Sequence, residues 1–414
     1  IKDPGKAYFE AAEKSKGRLY RKAYRRFCDF LEQFKDLKPD QAVEKDKISP
    51  YLSQESFSSF RQKNSFWLED YCLYAALKEH FAGAPWYEWD RLIAEREEQA
   101  LIEYQEKLAE EIDYRRFLQY TFFIQWQNLK NYAHSKGIML VGDLPIYVAP
   151  DSADTWVHRR LFFLDRAGRP AKVAGVPPDY FSKTGQLWGN PVYDWEESAK
   201  DGYLWWVKRV QLSLEMFDYL RLDHFRGFEA FWAVPGGEKT AENGIWLKGP
   251  GKRFFEALKK ELGHLPFIAE DLGVITPEVQ NLKNIFGFPG MKIFQFSPDE
   301  MPEGEAGENL VYYTGTHDND TLVGWCRKQT KKYNYRKVLE KIYQSDAAWV
   351  IVPLQDLLAL DSSARMNTPG TVYGNWEWRL DRALLTKEIS RRMSELAKMR
   401  FLKQKEAQPN NQTP

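Results

Sequence analysis

The sequence has very little cysteine. Its 414 residues include only Cys28, Cys72 and Cys326. An odd number of cysteines at such wide spacing argues against both a disulfide framework and a zinc site. Free thiols suit a reducing compartment, so the sequence predicts a cytoplasmic protein.

Long apolar runs and an excess of charge of one sign are also absent. No run of about eighteen or more apolar residues occurs, and no basic segment followed by an apolar one opens the sequence. These absences predict neither a membrane span nor a signal peptide. Lys plus Arg and Asp plus Glu both number 59, so the formal net charge is +0. No polyanionic partner such as nucleic acid is implied.

The sequence lacks the motifs that bind phosphates or calcium. Gly249-Pro250-Gly251 has no following Lys-Ser/Thr, so it indicates a turn rather than a phosphate loop. Asp318-Asn319-Asp320 lacks the glycine and the distal glutamate of a helix-loop-helix calcium site. We therefore expect neither a metal nor an organic cofactor.

Short apolar runs that end at acidic residues recur along the chain. In the run that begins at Tyr219, strand alternation places Arg221 and Asp223 on one face and Leu220 and Leu222 on the other. A carboxylate beside a guanidinium stays ionised, which suits a nucleophile. Similar runs end at Asp143, at Glu270 and Asp271, at His317 and Asp318, and at Asp356.

These runs predict an α/β fold. Helix-like stretches such as Gly251 to Leu262 and Tyr333 to Tyr343 lie between them. Strands that alternate with helices and carry acids at their C-terminal ends are typical of a (β/α)₈ TIM barrel. Strands are readable near residues 138–143, 219–223, 266–270, 291–296, 310–316 and 350–356.

Two alternatives accompany this interpretation. Any single acid after a strand is more often a helix N-cap or a turn former than a catalytic group. An open, doubly wound sheet would also place acids at its strand ends, but it normally carries a glycine-rich phosphate loop that the sequence does not have. Five acid-terminated strands in one chain favour a barrel with a catalytic site.

The chain divides into three predicted parts. Residues 1–136 are expected to be mainly helical, and Gly137 is expected to end the last of these helices. Residues 137–400 are expected to form the catalytic barrel portion with loop insertions, and residues 401–414 a disordered tail. The basic run from Arg21 to Arg26 indicates a solvated helix face more than a binding patch.

Aromatic residues are unusually frequent, at 15% of the chain, with 15 tryptophans. Most of these rings are expected to fill the core. Tyr180, Phe181, Trp188 and Trp246 instead lie among Gly, Ser, Asn and Pro, so we expect them on loops. A flat ring with one polar atom suits the face of a sugar, which makes these four residues candidate substrate contacts.

Several motifs, in order along the chain, resemble the 4-alpha-glucanotransferases called amylomaltases or disproportionating enzymes, of the alpha-amylase-like clan. The resemblance extends from about residue 50 to residue 400. The motifs that carry it are Asp143 to Val148, Gly175 to Pro191, Arg221 to Gly227, Ala269 to Gly273, Thr316 to Asn319 and Asn375 to Arg379.

The resemblance implies a role for each acid that strand geometry leaves open. It makes Asp223 the nucleophile, Glu270 the general acid/base and Asp318 the group that stabilises the transition state. Arg221 and His317 correspond to residues that hold the sugar just before the cleaved bond. Asp143, Tyr147 and Asn190 lie in the matching motifs and are expected to contact substrate, together with the four aromatic residues named above.

The implied reaction is a retaining double displacement through a covalent glycosyl-enzyme intermediate. It moves α-1,4-glucan segments between maltooligosaccharides or starch- and glycogen-type chains. From the residues alone, an α-glucan hydrolase and a non-catalytic glucan-binding protein remain alternatives, and the sequence is silent on oligomeric state. The family's opening strands are not found in the sequence, so we expect an N-terminally incomplete barrel.

Overall fold

The computed structural model describes residues 3–33, 54–178, 182–300, 309–329 and 332–407, and only the backbone of 401–407. The chain forms two compact units. Unit A contains Ile1–Phe9, Arg221–Arg226 and Pro266–Pro414, and unit B contains Glu10–Leu220 and Gly227–Leu265. The predicted boundary between residues 136 and 137 falls inside unit B and stays a prediction.

Helices occupy most of the first part of the chain and alternate with strands after it. The helices of the described residues are α1 (Phe9–Gln33), α2 (Gln54–Lys63), α3 (Ser65–His80), α4 (Arg91–Ala94), α5 (Glu98–Lys107), α6 (Ala109–Ser135), α7 (Ala153–Val157), α8 (Trp195–Ala199), α9 (Leu204–Met216), α10 (Gly251–Leu262), α11 (Pro277–Phe286), α12 (Leu322–Lys328), α13 (Tyr335–Tyr343), α14 (Leu354–Leu357) and α15 (Lys387–Ala407).

The strands are short. Those of the described residues are β1 (Val141–Leu144), β2 (Lys172–Val176), β3 (Gln186–Pro191), β4 (Tyr219–Leu222), β5 (Ala230–Pro235), β6 (Ile245–Lys248), β7 (Phe267–Ala269), β8 (Gly290–Ile293), β9 (Leu310–Tyr313) and β10 (Trp349–Ile351). Each of the six strands predicted from the sequence is present, with bounds that differ by a few residues.

Unit A is built on parallel strands in chain order. Strands β8, β9 and β10 pair in parallel, with β9 in the middle. The backbone N–H of Glu270 donates to the carbonyl of Leu222 at 3.0 Å, and that of Ala269 donates to Pro289 at 2.9 Å. These bonds link the end of β4, β7 and the start of β8. Helices α11 and α13 lie between successive strands of the series, as the alternation of strands and helices predicts.

Apolar side chains fill the space along these strands. Ile268, Met291, Ile293 and Val311 are buried in one cluster, with Leu272, Trp349 and Ile351 packed against it. Strands covered on both faces read as continuous apolar runs, which is why the sequence identifies them. The packed core fixes where the polar residues that follow each strand project.

Unit B combines helices with an antiparallel sheet. The sheet has the order β3-β2-β5-β6, and each neighbouring pair is antiparallel. Helix α6 ends where the sequence predicts, because Gly137 adopts φ +70° and donates its N–H to His134. Buried residues of α3, among them Leu68 and Leu77, pack with Trp86 and Trp156 into an apolar cluster of this unit.

Helix α15 enters the range that the sequence predicts to be a disordered tail, and the division of the chain at residue 400 stays a prediction. Helix α15 continues to Ala407, whereas residues 401–414 were expected to be disordered. The segment from Lys387 to Ala407 contains no glycine or proline and is rich in strong helix formers, so the helix can continue through it. Residues 408–414 lie outside the described part of the chain.

Two further findings concern membrane-spanning helices and cysteines. None of the helices in the described ranges is both long and apolar enough to cross a lipid bilayer. The three cysteines are free thiols, Cys28 exposed and Cys72 and Cys326 buried.

Candidate active site

Asp223 lies directly after β4 and beside an arginine of the same strand. Leu220 and Leu222 are buried while Arg221 is on the other face, as the alternation predicts. The guanidinium Nη2 of Arg221 contacts Oδ1 of Asp223 at 2.8 Å, and 41% of the Asp223 side chain is exposed. The aspartate is therefore held by a charged hydrogen bond while it stays open to solvent or a ligand.

Glu270 follows β7, the neighbour of β4 in unit A. Its Oε2 accepts a hydrogen bond from the backbone N–H of His224 at 2.9 Å, and its Oε1 accepts one from Leu272 at 3.2 Å. His224 has φ +49°, in the left-handed region that non-glycine residues seldom adopt. This turn directs the N–H that follows Asp223 toward Glu270, so the two carboxyl groups share one site.

Desolvation of the partly buried Glu270 carboxyl and, after it, the negative charge of Asp223 together raise its pKa to about 7. Arg221 and the two backbone N–H donors act in the opposite direction and lower it. Glu270 therefore holds its proton up to neutral pH. Burial lowers the pKa of His224 to about 4, helped by Arg226, so this imidazole is neutral at pH 7.

His317 and Asp318 form a second group of unit A, in the loop after β9. Nε2 of His317 lies 3.5 Å from Oδ2 of Asp318. Their side chains are 34% and 45% exposed, respectively. Asn319 closes the turn by accepting from the backbone N–H of Thr316 at 2.8 Å. Both side chains are thus presented at the C-terminal end of a parallel strand.

Two residues that the sequence did not identify contact this second group. Nδ2 of Asn367 donates to Oδ1 of Asp318 at 2.6 Å. The indole of Trp376 lies over the imidazole of His317, with ring centroids 5.2 Å apart and 35° between the planes. Trp376 belongs to the Asn375 to Arg379 motif, which contributes to the family resemblance but did not indicate a role for this residue. The sequence gave no indication of Asn367, because its partner Asp318 is 49 residues away.

Other acids at strand ends are structural. Asp271 accepts from Nζ of Lys283 at 2.5 Å and from the backbone N–H of Met291 at 2.7 Å, and both ionic side chains are about nine-tenths buried. Asp356 accepts from the Thr314 hydroxyl at 2.6 Å, and burial raises its pKa to about 6. The general alternative, in which such an acid stabilises the local backbone, is the correct one for these two.

We expect Asp271→Asn to lower the free energy of unfolding by about 3 kcal/mol, because it leaves the Lys283 ammonium buried without its counter-charge. Urea unfolding at neutral pH measures this change. Lys260→Met, which removes an exposed lysine, is the control and should change the free energy by less than about 0.5 kcal/mol. An unchanged stability for Asp271→Asn would show that the buried ion pair does not stabilise the site.

The predicted contacts of unit B have mixed environments. Asp143 is exposed on β1, whereas Tyr147 is buried, and that burial raises its pKa. The Tyr147 ring lies 6.2 Å from that of Trp188, and Nδ2 of Asn190 donates to the carbonyl of Val148 at 2.8 Å. Tyr147, Trp188 and Asn190 therefore lie near one another in unit B. Tyr180 and Phe181 lie outside the described residues.

The expectation that Trp188 and Trp246 lie on loops is wrong. Trp188 is in β3 and Trp246 in β6, at the two edges of the antiparallel sheet. Their side chains are 37% and 41% exposed, and Trp246 packs on Trp232 of β5 at 5.3 Å. Edge strands contain glycine and proline more readily than central strands do, so the turn-like composition around Trp188 was misleading.

The described residues contain no group of three or more His, Cys, Asp or Glu side chains that could hold a metal ion. Unit A does offer the chemistry of carboxyl groups. One of them, Glu270, is protonated near neutral pH, and another, Asp223, is paired with a guanidinium. Such a pair can donate a proton on one side of a bond and attack on the other.

The family to which this fold and these carboxyl groups belong follows from comparison with known proteins. A family model described as 4-alpha-glucanotransferase matches residues 6–386. The chain is 51% identical to a 4-alpha-glucanotransferase of Synechocystis sp. over 349 residues, which are 79% of this chain and 69% of that protein. It is 44% identical to one from Thermus thermophilus over 383 residues, 85% of this chain and 76% of that protein.

A solved structure agrees with these sequence matches. The amylomaltase from Streptococcus agalactiae in complex with acarbose superimposes with a TM-score of 0.85 at 35% identity, and the match covers 96% of this chain and 81% of that one. The fold is thus the mixed α/β fold of an amylomaltase. The chain belongs to the 4-alpha-glucanotransferase family.

Proposed function

We propose that this chain is a 4-alpha-glucanotransferase that moves α-1,4-glucan segments between maltooligosaccharides or starch- and glycogen-type chains. Membership of the family supports the reaction class. The observation that carries the assignment of residues is the pair formed by Asp223 and Glu270, in which Glu270 has a pKa of about 7 and Asp223 contacts Arg221 at 2.8 Å. One carboxyl group is ready to donate a proton and the other to attack.

In the first step, Asp223 attacks the anomeric carbon while Glu270 donates its proton to the departing glycosidic oxygen. The bond to the leaving glucan breaks, and an ester bond between the sugar and Asp223 forms. Positive charge develops on the sugar ring in the transition state. Asp318 offsets this charge, and Arg221 and His317 hold the hydroxyls of the same sugar.

In the second step, the 4-hydroxyl of another glucan attacks the same carbon and Glu270 takes its proton. The ester bond to Asp223 breaks, and the configuration at the anomeric carbon is retained after two inversions. Glu270 is again protonated, which closes the cycle. We propose further substrate contacts for the remaining candidate residues, which are Asp143, Tyr147, Asn190, Trp188, Trp246, Tyr180 and Phe181.

Two broader assignments belong to the same proposal. In unit A the end of β4 is hydrogen-bonded to the end of β7, β7 is linked to the start of β8, and β8, β9 and β10 pair in parallel, which supports a (β/α) barrel as the catalytic part. Free thiols at Cys28, Cys72 and Cys326 suit the reducing cytoplasm. The predicted three-part division at residues 136 and 400 is kept as a hypothesis for truncation experiments.

Incubation with maltotriose tests the reaction class. Transfer gives glucose together with maltopentaose and longer chains, and the number of reducing ends stays nearly constant. Hydrolysis gives glucose and maltose, and the number of reducing ends rises steadily. Size separation with a reducing-end assay distinguishes the two, and the absence of any product from correctly folded chain would contradict the proposal.

The pH dependence of the reaction tests the role of Glu270. Because its raised pKa of about 7 keeps it protonated below neutrality, kcat/KM should be highest below pH 7. Above about pH 7 it should fall about tenfold per pH unit, since the acid form is lost in that proportion. Initial rates with maltotriose between about pH 5 and 9 measure this decrease of kcat/KM with pH.

The assignment of this fall in kcat/KM to Glu270 can be checked by a control that does not need turnover. In Asp223→Asn the neighbouring negative charge is absent, so the pKa of Glu270 should decrease toward the ordinary glutamate value. Titration of the Glu270 carboxyl carbon by NMR in this variant and in the unmodified chain measures the difference. A pKa that does not respond to the Asp223 charge would contradict the coupling of the two groups.

A further inference from the structure

The loop after α14 contacts His317 and Asp318 through both backbone and side chains. The backbone N–H of Asn367 donates to the carbonyl of His317 at 3.0 Å, and its side-chain amide donates to Oδ1 of Asp318 at 2.6 Å. Nη2 of Arg365 donates to the carbonyl of Asp318 at 2.6 Å, and its Nε donates to the carbonyl of Asn367 at 2.8 Å. Arg365 and Asn367 belong to the loop formed by residues 365–376.

Trp376 closes this loop in a strained backbone conformation. Its φ is +61°, a value that costs a bulky residue about 1 kcal/mol or more and persists only where neighbouring contacts enforce it. The enforcing contact is a hydrogen bond from its own N–H to the carbonyl of Met366 at 2.7 Å. The indole is half exposed, and yet it lies on the imidazole of His317 rather than in a core.

The segment after Trp376 is held by residues near the start of the described chain. The N–H of Ala7 donates to the carbonyl of Glu377 at 2.7 Å, and the N–H of Arg379 donates to Gly5 at 2.8 Å. Nζ of Lys6 contacts Oε2 of Glu377 at 2.6 Å. The backbone of Trp376 is therefore held through its own N–H and through the residue that follows it.

We propose that Asn367 and Trp376 are positioning residues that set the orientation of Asp318 and His317 for the transfer reaction. The inference rests on the proposed function, because it assigns these two residues to groups that act on the sugar there. Asn367 fixes the plane of the Asp318 carboxylate by occupying Oδ1, and Oδ2 is the oxygen nearer to His317. Trp376 fixes the plane of the imidazole by covering one face of it.

The two residues should have different kinetic signatures. Asp318 acts on charge that exists only in the transition state, so loss of Asn367 should lower kcat with little change in KM. His317 holds a sugar hydroxyl in the bound substrate as well, so loss of the Trp376 ring should also raise KM. Misplacement of a group by about 1 Å can cost about a hundredfold in rate.

Asn367→Leu removes the donor and keeps the approximate shape of the side chain. We expect kcat for maltotriose disproportionation to fall between about tenfold and a hundredfold, with KM changed by less than about threefold. Val372→Ala is the control, since Val372 belongs to the same loop and its side chain is 84% exposed. It should leave both constants unchanged.

Substitutions of Trp376 can separate the effect of its backbone conformation from the effect of its ring. Glycine adopts φ +61° without strain, so Trp376→Gly keeps the loop conformation and deletes only the ring, whereas Trp376→Ala deletes the ring and retains most of the strain. Both variants should raise KM about tenfold. Trp376→Phe, which retains a ring over His317, should restore most of the activity. If Trp376→Gly were as active as the unmodified chain, the ring would have no positioning role.

A measurement without turnover separates this inference from the proposed function. In an Asp223→Ala background, calorimetric titration with maltotriose should show weaker binding, by about tenfold, when Trp376→Gly is added. If the unmodified chain turns over but neither Asn367→Leu nor Trp376→Gly has an effect, the positioning inference is wrong and the transfer reaction stands. If the unmodified chain gives no product and Trp376→Gly still weakens binding, the positioning of His317 stands and the proposed reaction fails.

Discussion

Asp223→Ala is expected to lower kcat/KM for maltotriose by about 10⁴-fold or more, because the covalent intermediate can no longer form. The matched control is Asp361→Ala. Asp361 is likewise a partly exposed aspartate of unit A, and it contacts an arginine, Arg327, at 3.2 Å. Its loss should change kcat/KM by less than about twofold, since surface ion pairs contribute little to stability and its partners, Arg327 and Ser363, are not among the candidate site residues.

A small anion should restore turnover to Asp223→Ala in a diagnostic way. With α-maltotriosyl fluoride as donor, azide can enter the space that the carboxylate leaves and attack the anomeric carbon from that side. The carbon–fluorine bond breaks, a carbon–nitrogen bond forms, and fluoride departs without needing a proton. The product should be the β-azide, by one inversion. Full activity of the alanine variant without azide would rule out Asp223 as the nucleophile.

Glu270→Ala is expected to reduce the disproportionation of maltotriose by about 10³-fold or more, since both departure of the leaving glucan and activation of the acceptor need this group. The loss should be much smaller for the first step with α-maltotriosyl fluoride, because fluoride leaves unaided. The ester on Asp223 should then accumulate. Mass spectrometry of the peptide that contains Asp223 should show the added maltotriosyl group.

Azide also distinguishes the two carboxyl groups. With Glu270→Ala, azide should attack the accumulated ester without the help of a base and give the α-azide, because two inversions restore the configuration of the donor. This is the opposite anomer to the one expected from Asp223→Ala. Asp271→Asn is the control, since Asp271 is the next residue but belongs to a structural ion pair. Per folded molecule its activity should be nearly unchanged. The same anomer from both variants would contradict the assigned roles.

The fold of unit A could be predicted from sequence because its strands are short apolar runs that end in polar residues. Packing on both faces leaves this pattern in the sequence, and strands β7, β9 and β10 show it, whereas β4 contains Arg221 and β8 contains Lys292. The antiparallel sheet of unit B could not be predicted in the same way. Glycine, asparagine and proline around Trp188 satisfy the requirements of a turn as well as those of an edge strand.

The candidate site was predictable where its geometry is local. The contact between Arg221 and Asp223 follows from a two-residue spacing along one strand. Strand geometry alone could not tell Glu270 from Asp271, since both follow β7, and only the family resemblance singled out Glu270. Only the tertiary structure shows that one is desolvated beside Asp223 while the other is neutralised by Lys283. Asn367 and Trp376 were missed because they act through partners distant in sequence.

The raised pKa values of Glu270 and Asp356, about 7 and about 6, have a consequence for the whole chain. In the unfolded chain these carboxyls release their protons near about pH 4. Folding between these values is therefore a proton-uptake reaction, and the stability that the two groups contribute is fully present below about pH 4 and is lost as the pH rises through 6 and 7. The fold thus keeps Glu270 protonated up to neutral pH at the expense of resistance to alkali, and the same two groups oppose acid unfolding.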